Sequence, residues 1–351
     1  MANSNLKYFR GSLIVTFLGL VLGALVGFYY TGTVSGAMES LFICAILAVL
    51  EVSISFDNAI VNATVLKDMS KKWERRFLTW GMLIAVFGMR LFFPLLIVAL
   101  VGDLGPIEAL KLAALRPQEY AQLMMSVHTE VSAFGGAFLM LVALKYFFDR
   151  EKKVHWINII EKPLSKMGKL EAIEVGITIL IIYVLAQYVE PSKTLPFMYS
   201  GLAGILTFLA VEGVGVFLQA PEHAVQDVER ASLGLFLYLE VLDASFSFDG
   251  VIGAFAITSN LFIITIGLGI GAMFVRSLTI LMVEKGTLNA YKFLEHGAFY
   301  AVAALAAIMF LSTIHHVSEV ITGIVGAAFI GFSIFSSMKD RRKEFMESLR
   351  K

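Results

Sequence analysis

The chain has 351 residues, 58% of them hydrophobic, with 28 Lys plus Arg against 28 Asp plus Glu, so that charged residues make up only 16%. Soluble domains carry about 25% charged and about 45–50% apolar residues. This deficit of charge, with a mean hydropathy of +0.79, indicates a membrane protein and excludes a disordered, collagen-like or disulfide-stapled chain. A formal net charge of zero removes nucleic acid as a default partner, because a phosphate-binding surface needs a basic surplus. The single cysteine, Cys44, allows neither an internal disulfide nor a thiolate cluster, so a metal site here would be built from oxygen and imidazole ligands.

A hydrocarbon core of about 30 Å asks for roughly 20 mostly apolar residues per helix. Ten windows qualify: Gly11 to Tyr30, Ala37 to Leu66, Phe77 to Val101, Thr129 to Phe148, Glu171 to Tyr188, Leu195 to Gln219, Ser232 to Ile257, Leu261 to Val283, Gly297 to Ser312 and His316 to Ser337. Lys7 and Arg10 precede the first, but Phe28, Tyr29 and Tyr30 make a poor cleavage site, so it reads as a mature helix rather than a signal peptide. Lys and Arg concentrate in alternate connections, 67–76, 149–170 and the tail after Met338, while 31–36 and 258–260 have none. The positive-inside rule then places both termini in the cytoplasm. The connection 102–127, with Arg116-Pro117, is expected outside and to hold a short amphipathic or re-entrant piece. His155 and Trp156 are expected to anchor the 149–170 loop at the bilayer interface. The expected fold is all-α, a polytopic membrane helical bundle of about ten transmembrane helices with the lipid bilayer as its partner.

Compared with itself, the chain repeats. The second window reads Glu51-Val-Ser53-Ile-Ser55-Phe56-Asp57-Asn58 and the seventh Asp243-Ala-Ser245-Phe-Ser247-Phe248-Asp249-Gly250. The fourth has Gly136-Ala-Phe-Leu-Met-Leu-Val-Ala-Leu144 and the ninth Gly297-Ala-Phe-Tyr-Ala-Val-Ala-Ala-Leu305; Arg90 and Arg276 pair the third with the eighth, and Glu174-Val175 faintly matches Glu319-Val320. Every match joins window n to n+5, and five is odd, so the halves, 1–190 and 191–351, are expected as a 5+5 inverted-topology repeat. Such repeats place a substrate site near the midplane between the halves.

An ionised group at the bilayer centre costs at least about 2.5 kcal/mol on insertion scales, so it persists only when paired, neutralised or used. Glu51 and Asp57 lie in the second window and Glu240, Asp243 and Asp249 in the seventh, with Ser53, Ser55, Ser245 and Ser247 adding hydroxyls. On a regular helix Glu51 and Asp57 would sit about 120° apart and about 9 Å along the axis, too far to share one ion. Either the helix breaks within the motifs, for which Asn58 and Gly250 are suited, or Asp57 meets Asp249 across the repeat axis; the second is favoured. With an Asn58 oxygen, hydroxyls and freed carbonyls, such a cage would suit Mn²⁺, Mg²⁺ or Ca²⁺. Close carboxylates also titrate as a pair, which gives a route to metal–proton exchange. The blander reading is two structural ion pairs, Asp57 with Arg90 and Asp249 with Arg276; the arginines are read as counter-charges of the empty site. Glu130, Glu212 and Glu319 divide evenly between an ion path and local pairing. His128 beside Glu130, and His315 and His316 near Glu319, point only weakly to an outer-side site.

Nothing reads as an enzyme or as a cofactor site. There is no P-loop, and no histidine accompanies the motif serines to activate them. An intramembrane aspartyl protease would leave the paired serines and the Asn or Gly after each Asp unexplained.

The duplicated acid-x-Ser-x-Ser-Phe-Asp-Asn/Gly motif, with an arginine in the following helix, resembles the TerC family of integral membrane proteins within the LysE-like transporter superfamily. His128-Thr-Glu-Val-Ser-Ala-Phe-Gly-Gly-Ala-Phe and Phe147-Phe-Asp-Arg-Glu-Lys-Lys-Val-His155-Trp156 are similar to the bacterial branch labelled a domain of unknown function (number 475). The resemblance covers nearly the whole chain. It implies export of Mn²⁺, as cargo, across the bacterial inner membrane and an association with tellurite resistance. By motif match it places the metal-binding residues on Glu51, Asp57, Asn58, Asp243 and Asp249. The second copy departs from the pattern, with Asp243 for Glu51 and Gly250 for Asn58. The alternatives are an exporter of amino acids or other small solutes, and a membrane scaffold that docks stress-response partners through the 149–170 loop.

Overall fold

The computed structural model describes residues 2–348 apart from 82, 171, 219–223 and 316; His316, Arg350, Lys351 and the window ends Glu171 and Gln219 therefore lie outside the described residues, as does the side chain of Glu319. Among the described residues every regular element is helical. Helices α1 (Ala2–Thr31) and α2 (Val34–Ile54) form a hairpin in which Thr33 caps α2 by accepting the Gly36 N–H, satisfying one of the donors a helix start leaves open. Ser55 separates α2 from α3 (Phe56–Leu66). Next, α4 (Lys71–Arg76) leads into two π-helical stretches, π1 (Phe77–Gly81) and π2 (Ile84–Phe92), and then α5 (Phe93–Val101). Two short helices, α6 (Pro106–Leu115) and α7 (Pro117–Ser126), each open on a proline, where the missing N–H would have been unbonded anyway. They are the short piece expected between 102 and 127.

The chain continues through α8 (His128–Phe148), α9 (Asn158–Met167), α10 (Ile173–Leu185), α11 (Thr194–Leu218) and α12 (Ala224–Phe255). It ends with α13 (Leu261–Lys285), α14 (Thr287–Ala290), α15 (Leu294–Ser312) and α16 (Glu319–Ser348). Eight stretches of the described chain are long and apolar enough to cross a membrane: Leu6–Thr31, Val34–Ile54, Lys71–Val101, His128–Phe148, Thr194–Val214, Leu261–Lys285, Leu294–Ser312 and Val320–Glu347. Two of the ten expected windows differ. α10 is apolar but has only 13 residues, and α12 carries Glu240, Asp243 and Asp249 in its apolar part.

The polarity of the bundle is that of a protein dissolved in lipid. Phe17, Leu25, Phe42, Val49, Leu206 and Phe332 point outward and are exposed, whereas Glu51, Asp57, Arg90 and Asp243 are buried. An apolar outer belt of this extent is a liability in water and costs nothing against acyl chains. Of these eight stretches the most enclosed are those in α8, α13 and α15. α13 packs on α1 and α2, while α8 packs on α11 and α15, so helices from 1–190 lie mainly against helices from 191–351. Small residues allow these approaches. A methyl group at Gly271 would overlap the Cβ of Glu51, so this glycine lets α13 close on α2 at the level of the first acid.

Polar links gather one end of the bundle. Lys67 pairs with Glu295 at 3.7 Å, Lys72 with Glu229 at 2.9 Å and Lys292 with Asp340 at 2.7 Å, and Tyr8 Oη donates to Glu284 at 2.8 Å. These links tie the 67–76 connection and the tail after Met338 to α12 and to the 292–295 turn. At the opposite end Tyr30 Oη donates to the Ala114 carbonyl at 2.9 Å, tying α1 to α6.

Candidate functional site

The first motif breaks and the second does not. At Ser55 the backbone leaves helical geometry (φ −95°, ψ 16°), its N–H still reaching the Glu51 carbonyl at 2.9 Å, and a new helix starts at Phe56. Ser55 Oγ turns to Glu51 Oε1 at 3.0 Å, and Asp57 Oδ1 accepts the Asn58 N–H at 2.9 Å in the first turn of α3. A carboxylate suits that position, where free N–H groups carry partial positive charge. In the second motif α12 runs unbroken from Asp243 through Gly250, so the break for which Gly250 is suited, the less favoured alternative, does not occur there. Gly250 instead lies beside Glu51, where a Cβ would sit 3.4 Å from Oε2.

A cavity of about 30 Å³ lies between the halves, lined by Glu51, Asn58, Asn62, Arg90, Asp243, Ser247 and Arg276 among polar residues, with Phe77, Leu78, Ala85, Ala272, Val275 and Thr279. It is organised around the leading acid of each motif, Glu51 and Asp243, and not around Asp57 and Asp249. Asn62 Nδ2 donates to Asp243 Oδ1 at 2.8 Å, and Asn58 lines the same cavity. Because a carboxylate only accepts, this bond fixes the Asn62 amide with nitrogen toward Asp243. The two amide oxygens, Asn58 Oδ1 and Asn62 Oδ1, are buried and have no partner in the protein.

The two arginines meet different groups from those the ion-pair reading proposed. Arg90, buried, is salt-bridged through Nη2 to Glu51 rather than to Asp57, and its Nη1 donates to the Ala85 carbonyl. Arg276 Nε donates to the Leu78 carbonyl at 2.7 Å. Both guanidiniums therefore grip carbonyls of π1 and π2. In an α-helix Ala85 and Arg90 would lie about 140° apart; with i→i+5 winding, residues five apart come to share a face. That winding brings Arg90 onto the cavity.

Of the other expected residues, Ser247 lines the cavity and Ser55 supports Glu51. Ser53 faces outward and bonds its own helix at Val49, and Ser245 bonds the Val241 carbonyl. Asp57 is buried and Asp249 half-buried, neither lining the cavity. His128 and Glu130 sit at the start of α8, His128 Nε2 lying 3.5 Å from Ser132 Oγ and Glu130 Oε2 buried without a hydrogen-bond partner. Glu212 is salt-bridged to Lys145, the local-pairing alternative. Among the described residues no group of three or more His, Cys, Asp and Glu side chains is arranged to hold a metal ion. Two carboxylates plus amides are what this conformation offers.

A second polar constellation, which the sequence did not suggest, lies where the 149–170 loop meets α15. Glu161 is fully buried. Its Oε2 lies 2.9 Å from His296 Nδ1, 3.1 Å from Lys152 Nζ and 3.6 Å from His155 Nδ1, and its Oε1 accepts the Trp156 and Ile157 N–H groups at 3.2 Å. Burial alone would raise the Glu161 carboxyl; the hydrogen bond and charge of His296, the Ile157 N–H and Lys152 outweigh it and leave it at about 2. Trp156 packs edge-on against Tyr300, ring centroids 5.7 Å apart. His155 and Trp156 are thus packed against this cluster, Trp156 supplying a backbone N–H to the buried carboxylate and His155 standing beside it.

The fold and this cavity define an all-helical membrane-type bundle with a polar pocket of paired acids, arginines and amides between its halves. Over residues 56–344 the chain matches the family described as "Protein of unknown function (DUF475)", and it belongs to that family. The matched region begins inside the first motif. No curated protein and no solved structure matches the chain.

Proposed function

We propose that this protein is a secondary transporter that exports a divalent cation, Mn²⁺ above all, across the bacterial inner membrane, with the Glu51–Asp243 cavity as its central site. One observation carries this reading: two buried amide oxygens, Asn58 Oδ1 and Asn62 Oδ1, have no partner and line the same cavity as two carboxylates. Leaving a buried acceptor unsatisfied costs about 1–3 kcal/mol, and a hard cation satisfies all four groups at once. Arg90 and Arg276 are the counter-charges of the empty state. Cation binding displaces the Arg90 guanidinium from Glu51, which gives the site two alternative fillings and keeps its affinity low enough for release.

The repeat also supports alternating access. Three of the four matched pairs pack on one another, α2 and α3 on α12, π2 on α13, and α8 on α15, which supports halves related by an axis through the membrane. The acid motifs' resemblance to the TerC family points to the same cargo. A cavity of about 30 Å³ holds one water or one ion, whereas pockets for organic ligands run to about 300 Å³ or more, which argues against amino-acid export.

The test is flux of radioactive Mn²⁺ in liposomes containing the purified protein. Wild-type protein should move the ion, and Asp243→Asn should abolish flux while the protein stays folded. Equal flux through protein-free and protein-containing liposomes would sink the proposal, and a scaffold role through the 149–170 loop would take its place.

A further inference from the structure

On α12, Glu229, Phe236, Glu240, Asp243 and Ser247 are spaced seven, four, three and four residues apart, so they form one stripe of the helix. The stripe leads from the face that carries the basic loops to the cavity. At its outer end Glu229 is held by Lys72 at 2.9 Å and lies 3.5 Å from Ser70 Oγ. One step in, Phe236 packs against Trp73 (centroids 5.5 Å apart) and Phe77 (6.3 Å), and Phe77 itself lines the cavity. Behind these rings sits Glu240. Its Oε1 is buried and has no hydrogen-bond partner; it abuts Gly81, where a methyl group would collide with it, and it precedes Asp243 by three residues on the same helix. The rise between the two residues is about 4.5 Å.

We propose that Glu240 is a third acidic station on the cation's path, one helical turn before the Glu51–Asp243 cavity and behind an aromatic seal of Trp73, Phe77 and Phe236. A carboxylate between an apolar constriction and a binding cavity attracts the ion once the rings part and passes it inward without having to bind it tightly. Gly81 leaves room for that carboxylate, and the π-helical backbone at 77–81 presents the glycine to α12. The inference rests on the proposed cation transport.

The experiment compares Glu240→Gln and Gly81→Ala with the wild type in two measurements on full-length protein: equilibrium Mn²⁺ binding in detergent, read by electron paramagnetic resonance, and initial Mn²⁺ uptake into liposomes. Removing a steering charge acts on rate more than on affinity, so both variants should take up Mn²⁺ about tenfold more slowly while binding it within about threefold of wild type. Gly81→Ala keeps every charge and displaces the Glu240 carboxylate first, with a lesser contact on the Phe77 ring. Wild-type uptake by Glu240→Gln overturns the inference alone, as does loss of its binding in step with rate, which would make Glu240 part of the central site. Absence of both binding and uptake in the wild type overturns the reading of the cavity and this inference with it.

Discussion

Glu161 on α9 and His296 at the start of α15 are joined Oε2 to Nδ1 at 2.9 Å across 135 positions of sequence, with the carboxylate fully buried. This contact fastens the 149–170 loop onto the helical bundle, while Lys152 offsets the buried carboxylate from within the loop at 3.1 Å. Breaking a buried pair from one side leaves an uncompensated charge, so Glu161→Gln should cost about 3 kcal/mol, read as a lowered melting temperature in detergent. The pH dependence has a definite sign. The folded carboxyl lies at about 2 against an ordinary value of 4.5, so its stabilisation is complete above about pH 4.5 and is lost as the pH falls toward about 2. The melting-temperature gap between wild type and Glu161→Gln should therefore narrow through that window; a gap that widens on acidification would contradict the assignment.

Glu51 and Arg90 are each about 4% exposed, and removing one strands the other. Glu51→Gln should reduce the yield of monodisperse protein on size-exclusion chromatography, whereas the double variant Glu51→Gln, Arg90→Met should recover yield without recovering Mn²⁺ binding. Equal yields of all three proteins would show that the pair does not stabilise the fold.

Asn62 donates to Asp243 and offers its oxygen to the cavity. A hydrogen bond to a charged group is worth about 1.5–3 kcal/mol, so Asn62→Ala should weaken Mn²⁺ binding by at least about tenfold, while the protein still folds. Unchanged affinity in a titration would remove Asn62 from the site.

Gly271 has no room for a Cβ because Glu51 and the Ala48 carbonyl occupy its place. Gly271→Ala should push α13 from α2 and cost about 1–3 kcal/mol by overpacking. Gly331, with nothing within 4 Å, is the control, and Gly331→Ala should leave the melting temperature essentially unchanged.

Much of this architecture was legible because membrane segments advertise themselves: long apolar windows, and acids that stand out within them. Glu51, Asn58, Asp243, Arg90 and Arg276 were all singled out and do line one cavity. Which acid faces it was not legible. A regular helix turns about 100° per residue, and neither the break at Ser55 nor the π winding of 77–81 and 84–92 leaves a mark in composition. Asn62 was missed because the motif was read as ending at Asn58, although a second amide four residues on, in an apolar helix, shares its face. Glu161 and His296 could not be paired from sequence at all. Each looks like an ordinary loop or boundary residue until the fold brings them together.

The helical run 71–101 holds its place by count as much as by composition. Its π-helical stretches carry extra residues relative to α winding, and Arg90 reaches Glu51 because of them. Deleting one residue between 84 and 89 would leave a shorter, better-bonded and equally apolar helix, yet turn Arg90 and everything after it by about 100° away from its carboxylate. Relatives of this chain should therefore tolerate changes of side chain in this segment far more readily than changes of its length.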